Sequence, residues 1–175
     1  MNRLDQPFRI AAIQTVASAS VERNLAVAEA LIGDAADRGA RLVALPEWFC
    51  FMGPHERDKL AIRETDGDGP IQSFLSRIAA RLRVWVIGGS LPIAATIADK
   101  VRNSCLVFDD SGQRVARYDK MHLFGVELGE ERFRESNTIE PGTAPLAIDS
   151  PFGRIGLSIC YDVRFPELYR ALDNV

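Results

Sequence analysis

What this sequence has little of narrows its chemistry first. Only two histidines occur in 175 residues, His55 and His122, and neither sits in a Cys/His cluster with metal-ligand spacing. A zinc site is therefore not expected, and neither is a cofactor. Three cysteines, Cys50, Cys105 and Cys160, are scattered and odd in number. They form no disulfide framework, so a reducing cytoplasm is the expected setting. No apolar run approaches the ~20 residues that cross a bilayer, so no membrane partner is expected. The opening MNRLDQPFRIAAIQ lacks the charged, apolar and small-residue order of a secretory leader. An excess of positive charge is missing too. Lys and Arg total 21 against 24 Asp and Glu, a net charge of −3. That balance argues against a nucleic-acid-binding surface. There is no internal repeat and no low-complexity segment, and we expect a single domain over residues 1–175, long enough for a sizeable core.

What is present alternates between two periods. Residues 8–15 (FRIAAIQT) predict a strand, apolar on both faces and so expected to be central. Ser20 is a plausible N-cap with Glu22 in the first turn, and Val21, Leu25, Ala28, Ile32 and Ala35 recur at helical spacing up to Gly39. Residues 41–45 predict a second strand, followed by a long connection to Gly69. Pro70, Ile71, Phe74, Leu75, Ile78 and Leu82 predict a second helix. Strands are predicted over 84–91 and 101–108, and a turn at Asp109-Asp110-Ser111-Gly112 leads into a strand over 113–118. Residues 119–141 are long, polar and without periodicity, which in a compact domain marks a functional or disordered loop. A hairpin is expected from 146–149 and 154–159. Strand–helix alternation followed by hairpins predicts an α/β fold with mixed sheets and helices on one face.

The stretch GRIGLSICYDVRFPELYR, residues 153–170, carries the sharpest signal. Ile155, Leu157 and Ile159 alternate as in a strand, and Pro166 opens a helix, so Cys160 falls on a tight strand-to-helix connection. A nucleophilic cysteine is placed in this way, where a helix N-terminus favours the thiolate. Taken alone, a small buried thiol explains Cys160 as well. Two further strand ends shift the balance: Glu47 follows the apolar run 41–45, and Lys120 follows the strand ending at Tyr118. His122 raises a Cys–His alternative that leaves Glu47 and Lys120 unused.

LPEWF, YDKMHLF and GLSICYDVRFPELYR, in this order, resemble the three signatures of the nitrilase superfamily of carbon–nitrogen hydrolases. The resemblance implies a four-layer α-β-β-α sandwich and dimers that stack into larger homo-oligomers. It implies Cys160 as nucleophile, Glu47 as general base and Lys120 as oxyanion stabiliser, the cation also favouring the thiolate. The backbone N–H of Tyr161 is the second oxyanion donor. Glu135 stands where the family carries a second carboxylate, with Glu127, Glu130 and Glu131 as rivals better explained as a solvated loop. Arg164 either holds a substrate carboxylate or pairs with Asp162 to brace the turn, the second being the better reading. Trp48 is pocket wall or core. The R-F-P-E ending and the Lys-x-His-Leu-Phe loop resemble the branch containing omega-amidase and deaminated glutathione amidase. The implied reaction hydrolyses the amide of a small carboxylic acid to acid and ammonia. A nitrile or carbamoyl (ureido) substrate is the alternative, as is a catalytically inactive interaction protein, since the family domain continues past the helix at which residue 175 falls.

Overall fold

A computed structural model describes residues 7–129 and 131–173. Strand β1 (Arg9–Ala12) leads through helix α1 (Val21–Asp37) to β2 (Ala40–Ala44), and α2 (Pro70–Leu82) returns the chain to β3 (Trp85–Ile87). Both pairings, β1 with β2 and β2 with β3, are parallel, as strand–helix–strand units require. α1 starts where Ser20 Oγ accepts the Arg23 N–H at 3.3 Å, which satisfies one of the orphan donors of a helix start. It buries Ala28, Ile32 and Ala35. These pack with Ile71, Phe74, Leu75 and Ile78 of α2 onto Val43, Val86, Leu106 and Phe108 of the sheet. Each such large apolar side chain, fully buried, contributes about 1.5–3 kcal/mol.

The sheet continues antiparallel through β4 (Leu91–Ala94), β5 (Val101–Phe108) and β6 (Arg114–Asp119). β5 pairs with β3 through Val107 and Phe108, with β4 through residues 101–104, and with β6. Two expectations need correction here. Among the described residues β1 is not central: its one pairing is with β2, at the end of the sheet, and Ile10 is 63% exposed. An apolar run fits an edge as well as a centre when only one face is packed. The strand predicted over 84–91 is broken at Gly88-Gly89-Ser90 into β3 and β4, which follow one another along β5.

The opposite face of the sheet, with Leu42, Trp85, Cys105 and Val107, is covered by Leu157, Ile159 and the hairpin of β9 (Ala147–Ser150) and β10 (Gly153–Gly156). Beyond the hairpin lies α3 (Pro166–Leu172). A Cβ on Gly156 would come within 2.9 Å of Leu172 Cδ1, so strand and helix touch there. The layers thus run helices, sheet, hairpin, helix. The fold is mixed α/β in the expected α-β-β-α order, with the second β layer represented by two strands among the described residues.

Residues 119–141 are not the structureless loop that their lack of periodicity predicts. They hold a hairpin of β7 (Gly125–Leu128) and β8 (Glu131–Arg134) and a 3₁₀ turn over Glu135–Asn137. Glu127 pairs with Arg134 at 2.5 Å across this hairpin, and both are exposed. Apolar alternation in the sequence is confined to Phe124, Val126 and Leu128, with Phe133 alone in 131–134, too short a run to mark a hairpin.

The break at Gly89 positions the site that follows. Gly89 has φ +55, and a Cβ there would lie 2.1 Å from the Pro46 carbonyl oxygen, one residue before Glu47. Gly89→Ala is expected to cost about 2 kcal/mol or more, read as a lowered urea midpoint. An unchanged midpoint would show that the 45–47 segment can yield.

Candidate active site

Four ionisable side chains predicted from separate stretches meet at one place. Glu47 comes from the connection after β2, Lys120 from the end of β6, Glu135 from the 3₁₀ turn after β8, and Cys160 from the turn after β10. Lys120 Nζ donates to Glu47 Oε1 at 2.8 Å and to Glu135 Oε1 at 3.0 Å, and lies 2.9 Å from Glu135 Oε2. The Lys120 side chain is wholly buried, so the two carboxylates are its compensation. Their hydrogen bonds and charges raise its pKa against the desolvation that lowers it. Glu135 is itself fixed, because Oε2 accepts the Phe124 N–H at 2.7 Å.

Cys160 begins a 3₁₀ turn over Cys160–Arg164 and has φ +47, a left-handed conformation that non-glycine residues seldom adopt. Asp162, fully buried, holds this elbow. Its carboxylate accepts the Ile159 N–H at 2.9 Å and the Tyr118 O–H at 2.7 Å. It also accepts the His122 N–H at 2.9 Å and the His122 Nδ1–H at 2.7 Å. The bracing expected of Asp162 is real, but its partners are these groups and not Arg164, whose side chain is exposed at the end of the turn. His122 stacks on Phe165 with centroids 3.8 Å apart. Engaged in this way it supports the lysine loop, and it does not line the cavities at Cys160.

Two cavities adjoin Cys160 and Glu47. One, of about 260 Å³, runs between the sheet and β10 past Leu45, Ile87 and Ser158. The other, of about 470 Å³, is walled by Trp48, Phe51, Lys59, Phe124 and Phe133 and also by Glu135. Trp48 is wall and core at once: it lines this cavity yet packs with Val101 and Ile139, with φ +53 and its N–H on Ser90 Oγ at 3.0 Å. Tyr161 is half-buried, its ring edge-on to Phe124 and Phe165. Arg164 lines neither cavity. Of the rival carboxylates, Glu127 is spent on Arg134, and Glu130 and the Glu131 side chain lie outside the described part of the structure. Among the described residues, no three His, Cys, Asp or Glu side chains stand as a metal-holding group, and no helix is long and apolar enough to cross a membrane.

Two residues of the site escaped the sequence reading. Asn103 Nδ2 donates to Glu47 Oε1 at 2.8 Å, and its own Oδ1 is buried without a partner. The available signal was a polar residue in the apolar strand VRNSCLVF, on the face it shares with Cys105 and Val107. Lys59 lies in a polar connection that carried no signal.

The electrostatics of Cys160 also differ from expectation. The thiol pKa is raised, first by desolvation, then by the charge and hydrogen bond of Glu47, with Glu135 adding and Lys120 opposing. Lysine and turn do not hold a preformed thiolate. Burial, with the charge of Glu64 adding, raises Cys50, and burial alone pushes Cys105 up to about 12.

Alkylation by iodoacetamide should therefore select Cys160, which is exposed where Cys50 and Cys105 are buried. Its midpoint should lie above that of a free cysteine and move down in Glu47→Gln, because removing the carboxylate charge eases ionisation. A midpoint below 8, or one that climbs in Glu47→Gln, would overturn this electrostatic account. Asp162→Ala strands two or more buried donors and should cost about 3 kcal/mol or more, measured by urea unfolding. A loss under about 1 kcal/mol would mean the elbow does not depend on it.

Residues 9–174 match the carbon–nitrogen hydrolase family. The chain is 40% identical over 173 residues to a deaminated glutathione amidase of Synechocystis, covering 97% of this chain and 63% of that one. It is 37% identical over 167 residues to the chloroplastic omega-amidase of Arabidopsis thaliana, covering 92% and 44%. Its fold superposes on Saccharomyces cerevisiae Nit3, described as a member of branch 10 of the nitrilase superfamily. The TM-score is 0.82 and the identity 29%, with 96% of this chain and 60% of that one covered. The chain spans 44% to 63% of the length of these three proteins. Sequence signatures, fold and matched length agree: the chain belongs to the carbon–nitrogen hydrolase family of the nitrilase superfamily.

Proposed function

We propose that this protein is a thiol amidohydrolase that cleaves the terminal amide of a small carboxylic acid to the acid and ammonia. One observation carries the reading. Cys160, Glu47 and Glu135 line a single cavity, and Lys120 bridges the two carboxylates behind it.

In this reading Cys160 Sγ attacks the amide carbon as its proton passes to Glu47, a general base within reach. The carbonyl π-electrons move to oxygen. An ammonium has three donors. Two of those of Lys120 are taken by Glu47 and Glu135, which leaves one for the oxyanion. The Tyr161 N–H, in the first turn where no intrahelical carbonyl reaches it, is the other donor. Glu47 returns the proton to nitrogen, the C–N bond breaks, and ammonia leaves a thioester on Cys160. Water attacks the thioester as Glu47 takes its proton, the C–S bond breaks, and the acid and the thiol are released. Glu135 positions Lys120, and Trp48 forms cavity wall. The exposed Arg164 has no role in this scheme.

We further read residues 1–175 as the catalytic-motif portion of a single domain in a homodimeric or larger assembly. Three free thiols fit a cytoplasmic setting. The test is ammonia release by the full-length protein from a panel of small amides, nitriles and carbamoyl compounds. Amides are expected to turn over, and Cys160→Ala to lose roughly a thousand-fold or more. Turnover that survives Cys160→Ala would sink the reading, and turnover of nitriles or carbamoyl compounds without amides would replace its substrate class.

A further inference from the structure

Lys59 is the cation that lines the cavity at Cys160, and neither the proposed chemistry nor the sequence signatures use it. It sits on a 3₁₀ turn over Glu56–Leu60, whose start is fixed by Asp58 Oδ2 accepting the His55 N–H at 2.8 Å. Leu60 of the same turn packs against the cluster of Trp48, Val101 and Ile139. The Lys59 ammonium donates to Thr138 Oγ1 at 3.3 Å and lies 5.4 Å from the centroid of the Trp48 ring. Thr138, buried, gives its own proton to Glu56 Oε1 at 2.8 Å. Among the described residues no carboxylate comes within 4.0 Å of Lys59 Nζ, whereas Lys120 has two. A half-buried ammonium with one neutral acceptor keeps donor capacity for an anion. Desolvation lowers its pKa while Glu56, Glu135 and Glu47 oppose, so an added anion would relieve it.

The rest of the cavity gives the direction. Glu47 and Glu135 make its reacting end negative, which repels a carboxylate from Cys160. The aromatic walls between accept an uncharged chain. We propose that Lys59 is the specificity residue of this cavity: its ammonium receives the carboxylate of the substrate while the amide lies at Cys160. The inference rests on the amidohydrolase reading for its reaction, but not for its binding.

The test uses the full-length protein and two four-carbon amides. Succinamate carries a distal carboxylate, and butanamide carries a methyl in its place. The unaltered protein should prefer succinamate. Lys59→Met should lower the ratio of the two kcat/KM values by about ten- to a hundred-fold, the scale of a charge-assisted hydrogen bond, mainly through KM. Lys59→Gln, which can still bond Thr138, should lose the same preference, and Lys59→Arg should keep most of it. A residue that only props the turn would lower both amides alike, so an unchanged ratio overturns the assignment. Calorimetry of succinamate on Cys160→Ala, with and without Lys59→Met, reads the anchor without turnover. If neither amide yields ammonia, the amidohydrolase reading fails. Succinamate binding that needs Lys59 would then still support the anchor, and binding that is absent or indifferent to Lys59 would overturn it.

Discussion

Everything at this site depends on one buried ammonium. Lys120 is wholly enclosed, and an uncompensated charge there would cost several kcal/mol. Glu47 and Glu135 supply the compensation, at 2.8 Å and 2.9 Å. Each is held by something else in turn. Glu47 also accepts from Asn103 of β5, and Glu135 accepts the backbone N–H of Phe124. The ion cluster thus joins the β2 exit, β5, the β6 exit and the turn after β8. Moving any of these elements leaves a charge or a donor unmet.

The elbow at Cys160 is secured by a second buried group of the same kind. Asp162 reaches Tyr118 on β6 and His122 beyond it, on either side of Lys120 in sequence. The strand that delivers the lysine is therefore the strand to which the cysteine turn is tied. That shared support sets nucleophile against cation without requiring contact between them. The left-handed φ of Cys160 is tolerated because four hydrogen bonds to one carboxylate over-determine the turn.

How much of this the sequence revealed follows from physical range. α1, α2, β2, β5 and β6 were legible because each buries one face, and burial writes a period into the residues. Glu47, Lys120 and Cys160 were legible because each terminates such a run, and Glu135 because a family signature expects a carboxylate there. The β7–β8 hairpin was not, since its apolar alternation covers only Phe124, Val126 and Leu128 and its cross-strand side-chain pairs are largely exposed charges. The sign of the Cys160 shift was missed because the sequence showed a nearby cation but neither the desolvation of the thiol nor how completely two carboxylates occupy that cation. Lys59 was missed for a related reason. Its meaning comes from Thr138, 79 residues away, and from a cavity assembled out of four distant segments. Local pattern carries no trace of either.

The raised thiol pKa is what a carboxylate base implies. A thiolate at Cys160 beside ionised Glu47 and Glu135 would place three negative charges around one lysine in a partly dry site. With the proton on sulfur, two carboxylates and one ammonium give the cluster of Glu47, Glu135 and Lys120 a formal charge of one negative unit. In the proposed attack the proton moves to Glu47 as the oxyanion forms, and the net charge of the cluster with substrate remains the same. Only its position changes, from one neighbour of Lys120 to another. An ammonium already oriented toward Glu47 and fixed by Glu135 needs little rearrangement to follow it, and preorganisation of that sort is where electrostatic catalysis draws its strength. Lys59, on a separate turn of the same cavity, stands outside that exchange. It can carry a carboxylate without disturbing the charge balance at the reacting end.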